Sequence, residues 1–531
     1  MNKFANRIRR IALSSVCTAL LPALAAAMPA PRLDFTEAEM QLAQTVAGDA
    51  GLAAFYGAHG LQPVFLGPDA QARRAALLAA VATAPRHGLP PARYDVAGLS
   101  AGETAQDLSA ELRYARLLSR WANDVSNGLV DPQRTDSMNK RSVIPVNMAA
   151  LLDSMIAGDP AAALAALPPH DPAYLRLQEM LADHAALVAP PDAPMVAEGL
   201  YKPGVTGPEV ANLRARLASI GFSAPTAPVD AQVFDPDLGQ AVARYQQAAG
   251  LPADGIAGPK TVAQLNGGDA GPQARRVMIA MERLRWLNGN DLNTRMIWVN
   301  IPSYMAEIRE NGQTVFDTRV VVGKPDPDWE TPEFSDTMEF VVPNPRWNVP
   351  QSIASQSYLS KLRANRNAVA HLDVVDRNGR VIPRDQIDFN KYSDKSFPYR
   401  LRQKPSADNA LGLVKFMFPN PWNIYLHDTP SKGLFGNRDR AASHGCVRVA
   451  KPFELAYELL RGNSSDPKAL FHKVLDTGEE RWLKLDEPLP IHLVYFTAIP
   501  GPDGTLRTYP DTYGRDAKVW AAMQKAAEAG T

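Results

Sequence analysis

The chain has 531 residues but only two cysteines, Cys17 and Cys446. So few thiols exclude a disulfide framework. Neither sign of charge is in excess, because 56 Lys and Arg balance 56 Asp and Glu. That removes bulk-charge attraction to nucleic acid or to a membrane surface. Past the first thirty or so residues, no apolar run is long enough to span a bilayer, so no stable membrane span is expected.

What is present begins with an export pattern. Lys3, Arg7, Arg9 and Arg10 form a basic head, and "IALSSVCTALLPALAAA" supplies a short apolar run broken by Pro22. Ala25 and Ala27 fit a small-x-small cleavage site, which predicts a signal peptide over residues 1–27. Cys17 lies inside that run behind Val16, where a lipid-attachment site would need a small residue, so no lipid is expected. Cleavage would leave Cys446 as the sole thiol of an exported, periplasmic protein. An unpaired thiol outside the cytoplasm calls for a chemical reason.

Residues 33–190 are rich in Ala and Leu at helical spacing, as in "ARRAALLAAVATAP" and "LSAELRYARLLSRWANDVSNGLV". They read as a helical scaffold without a catalytic cluster. After the linker "VAPPDAPMVAEG", residues 196–268 carry three short amphipathic helices. Val210, Leu213 and Leu217 make one stripe; Leu238, Val242 and Tyr245 make another. With Gly207, Gln246, Gly250, Asp254, Gly255 and Thr261, this unit resembles the peptidoglycan-binding module of wall enzymes. A plain three-helix spacer is the alternative. Residues 272–291 read as an amphipathic connecting helix. From 292 to 515 the pattern turns to period two, with Asn311–Gly312 a hairpin turn between strands. The fold class expected is multidomain α+β, mainly β in its C-terminal domain. A polar insertion at 345–408 interrupts the strands and predicts a capping subdomain.

Cys446 sits in "RAASHGCVRVAKP". A thiol attacks as its thiolate and needs a base or a cation beside it. His427, 19 residues upstream (446 − 427) at the end of the strand "NIYLHD", is the candidate base. His444 is nearer in sequence, but a turn at Gly445 would aim it elsewhere; it is expected to hold the loop and line an oxyanion pocket. The N–H groups of Gly445 and Cys446 are the expected oxyanion donors. Arg448 shares the parity of Cys446 and could bind a substrate carboxylate or make a structural ion pair. A zinc site from Cys446, His444 and His427 lacks a further ligand at recognised spacing, so no metal is expected.

"HDTP…RAASHGCVRV" resembles the signature of L,D-transpeptidases, the cysteine enzymes that cross-link bacterial peptidoglycan. "VVVGKPDPDWETPEFSD", "NPRWNVPQSI" and "FPYRLRQKPSADNALGLVKFMFPN" extend the likeness to the family's large periplasmic branch, though Ser406 stands where relatives often have glycine. The resemblance implies Cys446 as nucleophile and His427 as base, with His444 and Gly445 completing the catalytic set. It implies that the Asp428 carbonyl orients His427. It places Tyr425, Arg448, Ser443 and Asn409 on the substrate side. The implied reaction forms 3→3 cross-links between diaminopimelates of stem peptides through a thioester. No cofactor is required, carbapenems should acylate Cys446, and wall synthases are conceivable partners. Water or a protein lysine as acceptor, or a non-catalytic wall-binding protein, are the alternatives.

Overall fold

The computed structural model describes residues 34–100, 108–187, 189–190, 192–267 and 271–528. The expected signal peptide, Cys17 and the cleavage site after Ala27 lie outside these residues. Among the described residues, no helix is long and apolar enough to cross a membrane.

The C-terminal half is built on a sheet of strands β1 (Met296–Asn300), β2 (Met305–Glu310), β3 (Gln313–Gly323), β4 (Phe334–Pro343), β8 (Val414–Met417), β9 (Leu426–His427), β10 (Ala441–Ser443), β11 (Val447–Val449) and β12 (Leu483–Val494). The intervening β5 (Trp347–Asn348), β6 (Leu372–Val375) and β7 (Arg400–Gln403) belong to the insertion. The order is β10-β3-β11-β9-β8-β4-β12-β1-β2, and β2 pairs back onto β3, closing the sheet into a ring. Closure removes the exposed edges that an open sheet would carry. Asn311 (φ 51°) and Gly312 (φ 74°) make the β2–β3 turn, as the Asn-Gly pair requires.

The apolar run in β1 has a simple cause. Ile297 and Val299 point into the core inside the ring, whereas Met296 and Trp298 point into a second core outside it. β12 divides likewise, with Ile491 and Leu493 inside and Val494 outside. A strand covered on both faces loses its polar alternation. The outer cover is the helix Gly271–Arg285 together with Pro172–Ala185. The expected connecting helix therefore differs from the prediction. It ends at Arg285, and it is buried on most sides rather than amphipathic. Its Glu282 and Arg285 pair at 2.6 Å with neither side chain exposed. Val130 N–H donates to Glu282, and Arg285 donates to the His87 carbonyl and the Tyr174 hydroxyl.

The helical unit packs around Leu118, Trp121 and Val125. The C-terminal helix Arg515–Glu528 joins it, placing Val519 and Met523 in that same core. The sequence pattern had offered no owner for this helix. A smaller separate core unites the three helices Pro208–Ser219, Pro236–Ala248 and Pro259–Leu265. The insertion has its own core of Trp347, Leu359, Leu372, Phe389 and Leu401 beside the small sheet β5-β7-β6.

One buried cation ties the helical unit to the ring. Arg515, 1% exposed, pairs with Glu330 at 2.9 Å, Glu333 at 3.0 Å and Asp136 of the helical unit at 3.4 Å. Removing one partner of a buried ion pair strands the others without solvent. Arg515→Met should therefore lower stability by about 3–5 kcal/mol, seen as a depressed thermal midpoint of the intact chain.

His87 and His492 are buried and neutral. Burial, reinforced by Arg285 and Arg86, lowers His87 to about 4. Burial, reinforced by Arg141 and Arg309, lowers His492 to about 3. The unfolded chain protonates near 6.5 while the folded one does not, so this contribution is full above 6.5 and is lost as pH falls towards 4. His492→Asn should lose less stability than the wild type between pH 7 and 5, as read from urea midpoints.

Candidate active site

The site lies where β9, β11 and the turn before β11 meet. β9 and β11 run parallel with Leu426 opposite Val447 and His427 opposite Arg448. Opposed residues share a face of the sheet, so His427 and Arg448 stand side by side. Val447 N–H donates to the Tyr425 carbonyl at 3.1 Å, which seats Cys446 against the start of β9.

His427 is buried at 5% exposure. Its Nδ1 faces the Asp428 carbonyl at 2.5 Å, and a carbonyl can only accept, so Nδ1 carries the proton. Nε2 is left as the basic nitrogen. Burial, then the Arg448 charge, pushes the ring down to about 3. The Asp428 peptide is itself fixed. Its N–H donates to the Val414 carbonyl, and its carboxylate accepts from Leu413 and Thr429 N–H and pairs with Lys432. Gly412 (φ +61°) permits this approach, because a Cβ there would collide with the Asp428 carboxylate.

Cys446 is half-buried. The thiol contacts the Asn423 carbonyl at 3.6 Å. Burial pushes it up to about 11, opposed by the Tyr425 amide and hydroxyl and by Arg448. The resting pair is thus a neutral thiol and a neutral imidazole. Such a thiol resists oxidation, which follows thiolate character.

The turn is pinned by side chains. Gly445 adopts φ +106°, a region open to glycine. Its N–H is taken by Ser443 Oγ at 3.2 Å, and that hydroxyl donates to the Cys446 carbonyl at 2.6 Å. Two expectations change here. Ser443, 2% exposed, holds the turn and does not face substrate. The Gly445 N–H is already engaged, so the Cys446 N–H is the donor left for an oxyanion. Asn409 is also corrected: it is fully buried, donates to the Pro345 and Lys404 carbonyls, and accepts from Leu411 N–H. It staples the cap's exit loop to its entry. His444 is exposed, with its ring edge-on to Trp329 at 4.4 Å.

A cavity of about 470 Å³ opens between cap and ring, lined on the cap side by Trp347, Tyr358 and His371 and on the ring side by Thr429, Ser431 and Arg448. Nε of Arg448 is buried without a hydrogen-bond partner among the described residues. Tyr425 joins both parts: it packs against the ring core, as Cys446 does, and against the cap core that contains Trp347. Arg402 faces Asp373 within the cap at 4.0 Å.

Sequence reasoning missed Trp347, Asn423 and Thr331. Thr331 is fully buried and donates to the Gly445 carbonyl at 2.7 Å. A threonine in "ETPEF" carries no chemical mark until the fold brings it beside the Cys446 turn.

Residues 294–479 match the family described as L,D-transpeptidase catalytic domain, residues 50–181 the family described as Scaffold domain, and residues 206–265 the family described as "Putative peptidoglycan binding domain". Over residues 294–479 the chain thus matches the L,D-transpeptidase catalytic domain. A "Putative L,D-transpeptidase" of Haemophilus influenzae is 36% identical over 225 residues, covering 42% of this chain and 45% of that protein. The chain thus spans about half the length of that curated relative. Two crystal structures of L,D-transpeptidases were also matched. That from Xylanimonas cellulosilytica is 16% identical, covering 57% of this chain and 100% of that one at a TM-score of 0.15. That from Stackebrandtia nassauensis is 14% identical, covering 57% and 96% at 0.16. Scores this low add nothing to the assignment.

The raised thiol can be tested directly. Alkylation of Cys446 by iodoacetamide should climb with pH through 9 and level only near 11, followed by intact mass. Arg448→Met should slow it further at pH 8, since the cation favours the thiolate. Levelling at or below pH 8 would contradict this environment.

Proposed function

We propose that this protein is a peptidoglycan L,D-transpeptidase that forms 3→3 cross-links. The observation that carries the reading is the fixed tautomer of His427, which presents Nε2 as a base on the strand against which the Cys446 turn is seated. Cys446 Sγ attacks the carbonyl of the third stem residue, diaminopimelate, and its proton passes to His427 Nε2. The resulting tetrahedral oxyanion is met by the Cys446 N–H. Collapse breaks the bond to D-alanine, whose amine takes the proton from His427, and leaves a thioester. The side-chain amine of a second diaminopimelate then attacks the thioester, and the thiol is regenerated.

Because both partners rest neutral, the base takes the proton during attack rather than before it. The cavity's unpaired Arg448 suits a donor carboxylate. The cap would keep water from the thioester, where it competes with the amine. The three-helix unit would hold the enzyme on the wall, and the site of action is the periplasm. The reaction needs no metal, nucleotide or organic cofactor.

The test is to incubate the mature protein and Cys446→Ala with disaccharide-tetrapeptide and to weigh the products. A dimer lacking one D-alanine, formed only with Cys446, is the expected result. Tripeptide alone would make the enzyme an L,D-carboxypeptidase. No turnover and no carbapenem adduct on Cys446 would overturn the reading in favour of a binding protein.

A further inference from the structure

Thr331 lies at the centre of a hydrogen-bonded group beneath the nucleophile turn, on the loop between β3 and β4. Its hydroxyl donates to the Gly445 carbonyl at 2.7 Å and accepts from Gly323 N–H at 2.9 Å. Its own N–H donates to the Tyr513 hydroxyl at 3.3 Å, and that hydroxyl donates to the Gly323 carbonyl at 2.6 Å. Its carbonyl accepts from Arg515 at 3.0 Å. Every direction is forced, because an amide can only donate and a carbonyl can only accept. Each hydroxyl has one proton, and each proton has one destination. Thr331 is fully buried, so no water replaces a lost partner.

The consequence follows from peptide geometry. The Gly445–Cys446 peptide is planar, and in the trans form its C=O and N–H point in opposite directions. Holding the Gly445 carbonyl down towards Thr331 therefore turns the Cys446 N–H away from the protein body. The neighbouring Gly445 N–H is held separately by Ser443. Gly445 is the residue most able to let this peptide rotate, since glycine has no Cβ to resist it. The turn thus has a hinge at its most sensitive point, and Thr331 is the group that stops it.

We propose that Thr331 is a positioning residue for acyl transfer: by fixing the Gly445 carbonyl it aims the Cys446 N–H at the developing oxyanion. This rests on Cys446 acting as the nucleophile. Thr331 touches neither substrate nor thiol in this scheme; it acts through one peptide plane.

The experiment compares wild type, Thr331→Val and Thr331→Ser in two reactions of the full chain. One is D-alanine release from disaccharide-tetrapeptide, which passes through an oxyanion. The other is alkylation of Cys446 by iodoacetamide, a displacement at carbon that forms none. Thr331→Val should lower kcat for D-alanine release by about ten- to a hundredfold, with KM and the alkylation rate unchanged. Thr331→Ser, which keeps the hydroxyl, should restore kcat. Tyr513→Phe loosens Thr331 from its other side and should lower kcat in the same sense; it reads out the same role if Thr331→Val does not fold. Equal kcat in wild type and both variants, or parallel losses in kcat and alkylation, would overturn the positioning role alone. Absence of D-alanine release from the wild type would overturn the acyl-transfer reading and the role with it.

Discussion

The orientation of one peptide plane, between Gly445 and Cys446, is the constraint around which the C-terminal domain is arranged. A thiol that attacks a carbonyl carbon needs an N–H donor aimed at that carbonyl's oxygen. Glycine gives the backbone the necessary bend at φ +106°, but it also gives freedom to leave it. The fold answers with contacts on both sides of the plane. Ser443 closes the turn from within. Thr331 arrives from the β3–β4 loop and holds it from beneath. β9 then delivers His427 through a two-residue strand whose register against β11 is set by backbone bonds.

Support for that plane extends well outside the ring. Thr331 is bonded by Arg515, and Arg515 meets Asp136 in the helical unit. Residues 138–140 of the same unit bond Glu333 main chain to main chain, with Lys140 N–H donating to the Glu333 carbonyl at 2.8 Å and Glu333 N–H to the Met138 carbonyl at 2.9 Å. Arg141 donates to the carbonyls of Phe334 and Leu493 at 3.1 and 2.6 Å. The Arg515 and Arg141 bonds involve buried charged groups and are costly to leave half-made. The helical unit is therefore a structural wall of the catalytic domain and not a separate tether. The three-helix unit has a closed core of its own and stands apart from this network.

Most elements were legible because their signals are local. The Asn-Gly turn, the stripe of Leu213 and Leu217, and the long helix at Leu108–Asn127 each follow from spacing within a few residues. Cys446 and His427 stood out as rare, reactive residue types in a compact motif. What escaped were roles that depend on long-range approach. Thr331 and Gly445 are 114 residues apart in sequence, and Arg515 and Glu330 are 185 apart. Ser443 and Asn409 were misread for a related reason. A polar side chain near a motif can face substrate or backbone, and only burial decides between them. The connecting helix erred through its charges: Glu282 and Arg285 look solvent-facing in sequence, yet they satisfy each other inside the protein.

The resting chemistry of the site fits its surroundings. Enclosure raises the thiol and lowers the imidazole for one reason, the loss of solvent around a charge. An enclosed neutral pair gives up standing nucleophilicity. In exchange it avoids the oxidation that a free thiolate would meet. In the proposed reaction, activation would then have to accompany donor binding. Tyr425 packs against both the cap core and the ring core, and the cavity between cap and ring is lined by Trp347 and Arg448. Burial is the main cause that holds His427 neutral, and a carboxylate drawn to Arg448 would offset the second, the charge of that cation. Because the same cation lowers the thiol, that offset would act on both members of the pair, making the imidazole more basic and the thiol less acidic.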